Sequence, residues 1–264
     1  MRRSNIFWAI ILLTVGTLLL LNNFNVINVG WNIIWPVVLI VIGAWLLVGR
    51  YLGGDAALET ESVAVPLGET TKAKLTFEHG AGRLDIKPGA TAANLVEGTF
   101  RGGIEQQVNT SGGLTTATFQ AAFVDWMNPG NWGPQGRDWE IRLSEQVPLE
   151  ITFKGGASEN RLNLEPLNVT DLKIATGASS TVVTMPAKAE YTKVDIDSGA
   201  ASLDIIIPQG VAARIKIDSG VAGINVDQHR FPRSRGEYAS TDYDEAVHKL
   251  DIKIDTGVGS VSIK

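Results

Sequence analysis

Apolar positions follow two regimes along this chain. From Ser4 to Gly49 there is no charged residue, and two apolar runs, Ile6–Leu21 and Ile33–Val48, fill most of that stretch. Beyond it, apolar and polar residues alternate in short segments punctuated by Gly and Pro. The first regime predicts a two-helix transmembrane hairpin within residues 1–52, with helices at about 5–23 and 32–49. The second predicts an all-β domain over 61–264, joined through a linker at 53–60.

Each run is 16 residues long, and a spanning helix needs roughly 20 apolar residues with a lower limit near 17. Ser4, Asn5 and Asn22 extend the first run, and Asn32 and Gly49 the second. Trp8, Trp31, Trp35 and Trp45 stand toward the run ends, where amphipathic rings sit at headgroup level. Pro36 falls in the first turn of the second run, where a missing N–H costs little. A signal peptide is the rival reading of the first run, but Leu21-Asn22-Asn23-Phe24 is no small-residue cleavage site and a second apolar run follows. Arg2 and Arg3 precede the first segment, Arg50 follows the second, and the Asn22–Asn32 loop is uncharged. The positive-inside rule therefore places both chain ends in the cytoplasm of a multi-pass membrane protein.

A pattern recurs in the second regime: a short alternating strand, Gly with a small residue, then another strand. Its copies are Leu75-Thr-Phe-Glu-His-Gly80, Ile151-Thr-Phe-Lys-Gly-Gly156, Leu172-Lys-Ile-Ala-Thr-Gly177, Val194-Asp-Ile-Asp-Ser-Gly199, Ile215-Lys-Ile-Asp-Ser-Gly220 and Ile252-Lys-Ile-Asp-Thr-Gly257. Steps of 21, 22 and 21 residues separate Gly156, Gly177, Gly199 and Gly220. Fixed-period self-similarity in this range signals stacked rungs, so the domain reads as β-solenoid or β-helix-like with rungs of about 21 residues and almost no helix. The six Gly residues are expected at turns, with φ > 0 available to them. The 37-residue step from Gly220 to Gly257 reads as one rung plus an insertion. Pro186 and Pro208 are expected to end strands. Asp197, Asp218 and Asp255 share one repeat position and read as turn caps.

Two segments interrupt the repeat, at 123–139 and 228–247. The first sets Trp126, Trp132 and Trp139 among Gly and Pro, as an end plug for the solenoid or as a partner surface, since Trp is enriched at binding hot spots. The second carries Arg230, Phe231, Arg233 and Arg235, a basic patch for anionic lipid or an acidic partner, or a solvated loop.

Charge narrows the partners further. Residues 55–264 hold 20 of the 23 Lys+Arg and all 28 Asp+Glu, a net charge of −8. That balance argues against nucleic acid. The absence of Cys removes disulfides, thiol chemistry and Cys-based zinc sites. Gly80-Ala-Gly82 opens no helical pattern and no Gly-Lys-Ser/Thr occurs. His79, His229 and His248 lack metal-ligand spacing, and no nucleophile motif frames a Ser. No catalytic, cofactor-binding or metal-binding residue is expected, and an enzyme reading rests on fold analogy alone.

The segment Trp31-Asn-Ile-Ile-Trp-Pro-Val-Val-Leu-Ile-Val-Ile-Gly43 resembles the transmembrane region shared by the bacterial LiaI and LiaF membrane proteins. Trp139-Glu-Ile-Arg-Leu143, Val147–Ala157 and the ending Phe231…Tyr238…Tyr243…Ile252–Val261 resemble the LiaF-type C-terminal domain, related to the toastrack or adhesin-like β domains. LiaF itself has more membrane segments than the two read here. The resemblance implies a non-enzymatic accessory protein of the cell-envelope stress response, restraining a membrane partner such as a sensor histidine kinase. The expected partners are the lipid bilayer, a membrane or cytoplasmic signalling protein, and further copies of the chain in a homo-oligomer. The alternative is a structural or adhesin-like β-solenoid displayed at the cell surface.

Overall fold

A computed structural model describes residues 16, 36, 39–40, 60–121, 138–234 and 236–264. The chain divides into two compact units, residues 1–58 with 123–133, and residues 59–122 with 134–264. In the first, Gly16, Pro36, Leu39 and Ile40 are helical. The bounds of the two expected membrane helices and of the linker lie outside the described residues, among which no helix is long and apolar enough to cross a membrane.

The second unit is all-β. Its strands are β1 (Thr60–Pro66), β2 (Lys72–Pro88), β3 (Asn94–Arg101), β4 (Ile104–Ser111), β5 (Leu114–Ala121), β6 (Asp138–Leu143) and β7 (Leu149–Asn163). There follow β8 (Val169–Thr184), β9 (Tyr191–Ile206), β10 (Ala212–Val226), β11 (Arg233–Ser234), β12 (Glu237–Ala239) and β13 (Lys249–Ile263). Six long strands stack in parallel in the order β2-β7-β8-β9-β13-β10.

Each long strand is one rung, bent at its glycine. The buried positions change parity there. In β8, Leu172, Ile174 and Thr176 are buried before Gly177, and Thr181 and Val183 after it. In β9 the set is Val194, Ile196 and Ser198, then Ala201, Leu203 and Ile205. A straight strand keeps one parity on one face. The switch means that the strand turns a corner and both arms face a shared interior. Short returns of five or six residues close each rung and send Leu164, Met185 and Ile207 into the core. Pro186 and Pro208 stand two residues beyond β8 and β9, as strand terminators.

One expectation about the repeat is corrected. Gly80, Gly156, Gly177, Gly199, Gly220 and Gly257 are not at turns between strands, and none has positive φ. They form one column along the corner. A Cβ on Gly156 would lie 2.3 Å from the Gly80 carbonyl oxygen, and one on Gly177 3.1 Å from that of Gly156. Glycine is required there by the close approach of backbones. The 37-residue step holds one rung, β13, and an insertion that carries β11 and β12, but its spacing does not give the placement: the chain returns to lay β13 between β9 and β10 and leaves β10 at the edge. The rung order is therefore not sequential at this end.

Beyond β2 the two walls diverge. The first arm of β2 pairs with β5, which pairs with β4; the second arm pairs with β6, which leads to β3 and β1.

Candidate functional site

At the β2 end the diverging walls leave a gap that aromatic side chains fill. Phe77 stacks on Phe119 at 5.2 Å between centroids, and Phe119 on Phe100 at 5.9 Å. Trp139 meets Phe100 edge-on at 5.1 Å and His79 at 4.9 Å. The alternation of Trp139, Ile141 and Leu143 in β6 drives all three inward. Trp139 is 1% exposed, so its assignment as a partner-contacting residue is corrected: it plugs the core. Trp126 and Trp132 lie outside the described residues.

The basic segment is also partly structural. Phe231 is fully buried, which removes it as a contact residue. It belongs to the hydrophobic core, and the Arg230 guanidinium lies 4.9 Å from its ring centroid and donates to the carbonyls of Ile207 and Pro208 at 2.7 and 3.0 Å. Arg230 thus ties the segment to a return instead of presenting its charge to a partner. Arg233 is exposed, with its guanidinium 5.4 Å from the Tyr238 centroid; Arg235 lies outside the described residues. Tyr243, buried beneath Arg214 at 4.2 Å, has its pKa raised by burial and by Asp251.

Asp197, Asp255 and Asp218 do not cap turns. They stand in register on adjacent strands β9, β13 and β10, with their side chains outward. The hydroxyls beside Asp197 and Asp255 are buried, and Ser198 Oγ donates to Thr256 Oγ1 at 3.0 Å, while Ser219 beside Asp218 is exposed at the edge. Among the described residues no group of three or more His, Asp or Glu is placed to hold a metal ion.

One polar network stands out electrostatically. Glu97 accepts bonds from the Thr91 amide and hydroxyl, from Asn94 Nδ2 at 2.9 Å, and from Arg142 Nη2 at 2.9 Å. Bonding to the charged form, led by Asn94 and Thr91, lowers the Glu97 pKa to about 2. This network pins β3 against β6 and touches no cleft.

The feature that sequence reasoning missed is the far edge. Of β10, only Arg214 and Ile215 are covered on the outer side, by Ala239 and Tyr238 of β12. From Lys216 onward no strand among the described residues pairs with that edge. Val221 is 76% exposed and Ile224 41%. The equivalent of Ile224 one rung inward, Val261, is 1% exposed, whereas that of Val221, Val258, is 56% exposed, so the edge uncovers Ile224 while Val221 stands on the outer face. The irregular step after Gly220 was the available signal, but it says nothing of which strand ends at the edge.

These features define a class: an all-β, toast-rack or β-solenoid-like module, built of bent parallel rungs. The chain belongs to the toast-rack family: the family described as the N-terminal domain of toast_rack, DUF2154, matches residues 54–206. The LiaI-LiaF-like transmembrane region matches residues 6–47 and supplies the membrane anchor. Neither describes a catalytic family. A candidate cell adhesion protein from Clostridium sporogenes shares the fold, with a TM-score of 0.69 at 21% identity, over 78% of this chain and 99% of that one. Candidate adhesins from Bacteroides fragilis and Parabacteroides distasonis align with TM-scores of 0.31 and 0.27, each at 12% identity. They cover 79% and 80% of this chain and 98% of each of those, and their overlap is too weak to bear on the fold. No curated protein matches the chain.

Proposed function

We propose that this protein is a non-enzymatic, membrane-anchored accessory regulator of the bacterial cell-envelope stress response, with its β module on the cytoplasmic side. The observation that carries the reading is the union, in one chain, of a LiaI-LiaF-like transmembrane region at 6–47 with a toast-rack module at 54–206. Arg2, Arg3 and Arg50 flank the two apolar runs and favour the cytoplasmic side for both chain ends. The module offers an extended, rigid docking surface to a membrane signalling protein such as a sensor histidine kinase. A displayed adhesin-like module is the second reading, supported by the fold shared with the Clostridium sporogenes protein.

Topology separates the two. The chain has no native Cys, so Asn28→Cys and Ser111→Cys each provide a single probe; Ser111 is exposed at the end of β4. In intact cells an impermeant maleimide should label position 28 and spare 111. Labelling of 111 with sparing of 28 would overturn the regulator reading in favour of surface display. Recovery of a membrane signalling protein with the full chain, after crosslinking in cells, tests the partner.

A further inference from the structure

We propose that the free edge of β10 pairs with the same edge of a second copy of this chain, forming a two-fold, end-to-end dimer of the toast-rack module. The two ends of the rung stack differ. At the β2 end, β4, β5, β6, β3 and β1 continue both walls, and Phe77, Phe100, Phe119 and Trp139 fill the interior. At the β10 end, β12 covers Arg214 and Ile215 and stops. Among the described residues Lys216–Asn225 is left as an edge with no Pro and no bulge in its pairing with β13; Lys216 and Asp218 are its only charges, and the half-exposed Ile217 and Ile224 lie on the core-facing side. Natural edges are usually blunted by such devices, because alternate N–H and C=O groups otherwise invite another strand.

The corner at Gly220 selects the partner. An axis along the bisector of the bend turns one rung stack onto another and lays the first arm over the second arm of the copy. Core-facing residues are odd-numbered before Gly220 and even-numbered after it, so inward residues meet inward residues only in certain registers. One centres the axis between Gly220 and Val221. Ile217 then lies opposite Ile224 of the copy, Ser219 opposite Ala222, and the exposed Val221 opposite Gly220, which has room for it. Lys216 faces Asn225 and Asp218 faces Gly223. Every pair occurs twice, none opposes like charges, and the two half-buried isoleucines cover each other. A seam of about ten residues, roughly 33 Å long, buries less than the ~1,200 Å² of a standard interface. Free copies should associate weakly, whereas copies held in one membrane are concentrated into the range where such a seam forms. Only this strength argument rests on the anchoring reading.

The test uses the full chain in isolated membranes opened to both faces, so its outcome does not depend on which side carries the module. Two differently tagged copies are co-expressed, one Ile217→Cys and the other Ile224→Cys, and treated with a mild oxidant. Opposed residues in an antiparallel pair have Cα atoms about 4.5–5.5 Å apart, within disulfide reach. Position 217 and its own mate stand seven residues apart along the seam, about 23 Å of strand and less in a straight line across the bend, still well beyond the ~7 Å limit for a disulfide. The mixed pair should therefore crosslink at least ten-fold more than 217 with 217 or 224 with 224. Ser219→Cys with Ala222→Cys repeats the test without touching an isoleucine. The proposal is overturned if neither mixed pair exceeds the like pairs while the variants remain protease-resistant, or if the thiols join a protein of another mass.

Discussion

Gly156→Ala probes the physical reason for the repeat. Its new Cβ would stand 2.3 Å from the Gly80 carbonyl oxygen, an atom of the neighbouring backbone. Reaching even 3.0 Å requires the two rungs to part by about 0.7 Å at the corner, with no flexible side chain to absorb the movement. Overpacking of this kind costs about 1–3 kcal/mol, and each weakened ladder bond adds about 0.5–1.5 kcal/mol. Against this, Ala restricts the unfolded chain more than Gly, a gain of about 0.4–1 kcal/mol. The net expectation is a loss of about 2 kcal/mol. Gly177→Ala and Gly199→Ala start from 3.1 Å, so the clash and the entropy gain should nearly cancel, leaving them within about 1 kcal/mol of the parent. Gly257→Ala and Gly220→Ala, at 2.7 Å, should fall between. Pulse proteolysis of the full chain in detergent across a urea series reads this as a midpoint shift. With a slope of about 2 kcal/mol/M, Gly156→Ala should lose about 1 M and Gly177→Ala under half of that. If all five variants lose equally, or Gly156→Ala loses nothing, close rung approach is not why glycine occupies the column.

The aromatic plug and the polar strand clamp give two more expectations. Trp139→Ala should cost about 3–5 kcal/mol in the same urea series. Trp139→Phe should cost far less, because it keeps the ring contact and removes an indole Nε1 that has no hydrogen-bond partner among the described residues. Glu97 has a folded-state pKa lowered from 4.5 to about 2. Its contribution is therefore complete above pH 4.5, and is lost as pH falls from there through 2. Glu97→Gln should lower the urea midpoint at pH 7 and flatten its decline over that acid window. An unchanged acid limb would refute the assignment.

Much of the architecture was written in the residue pattern. Uncharged apolar runs marked the membrane region, and alternation with recurrent Gly marked a stack of short rungs near 21 residues. Both are local properties, since a hydrophobic run or a period of two depends only on neighbours along the chain. The role of the glycines was not legible, because tightness arises between rungs distant in sequence: Gly80 meets Gly156 across the longest gap in the repeat. Whether Trp139 plugs the stack or meets a partner, and whether Phe231 belongs to a contact patch, stayed open for a similar cause. An aromatic beside a Gly/Pro-rich loop has the same composition on either side of a wall; the register of β6 turns Trp139 inward, and the turn from Asp227 to Phe231 does the same for Phe231.

The sequence alone therefore determined the element types, their period and the division into an anchor and a module, because hydrophobic patterning acts residue by residue. Tertiary structure alone decided the order of the rungs. Pairing in a parallel stack is a contest among strands of nearly identical pattern, and β13 shows the same Ile-Lys-Ile-Asp signature as β10. Packing placed the last strand inside the stack and left β10 at its rim. That choice makes Lys216–Asn225 an edge, and no reading of β10 in isolation contains it.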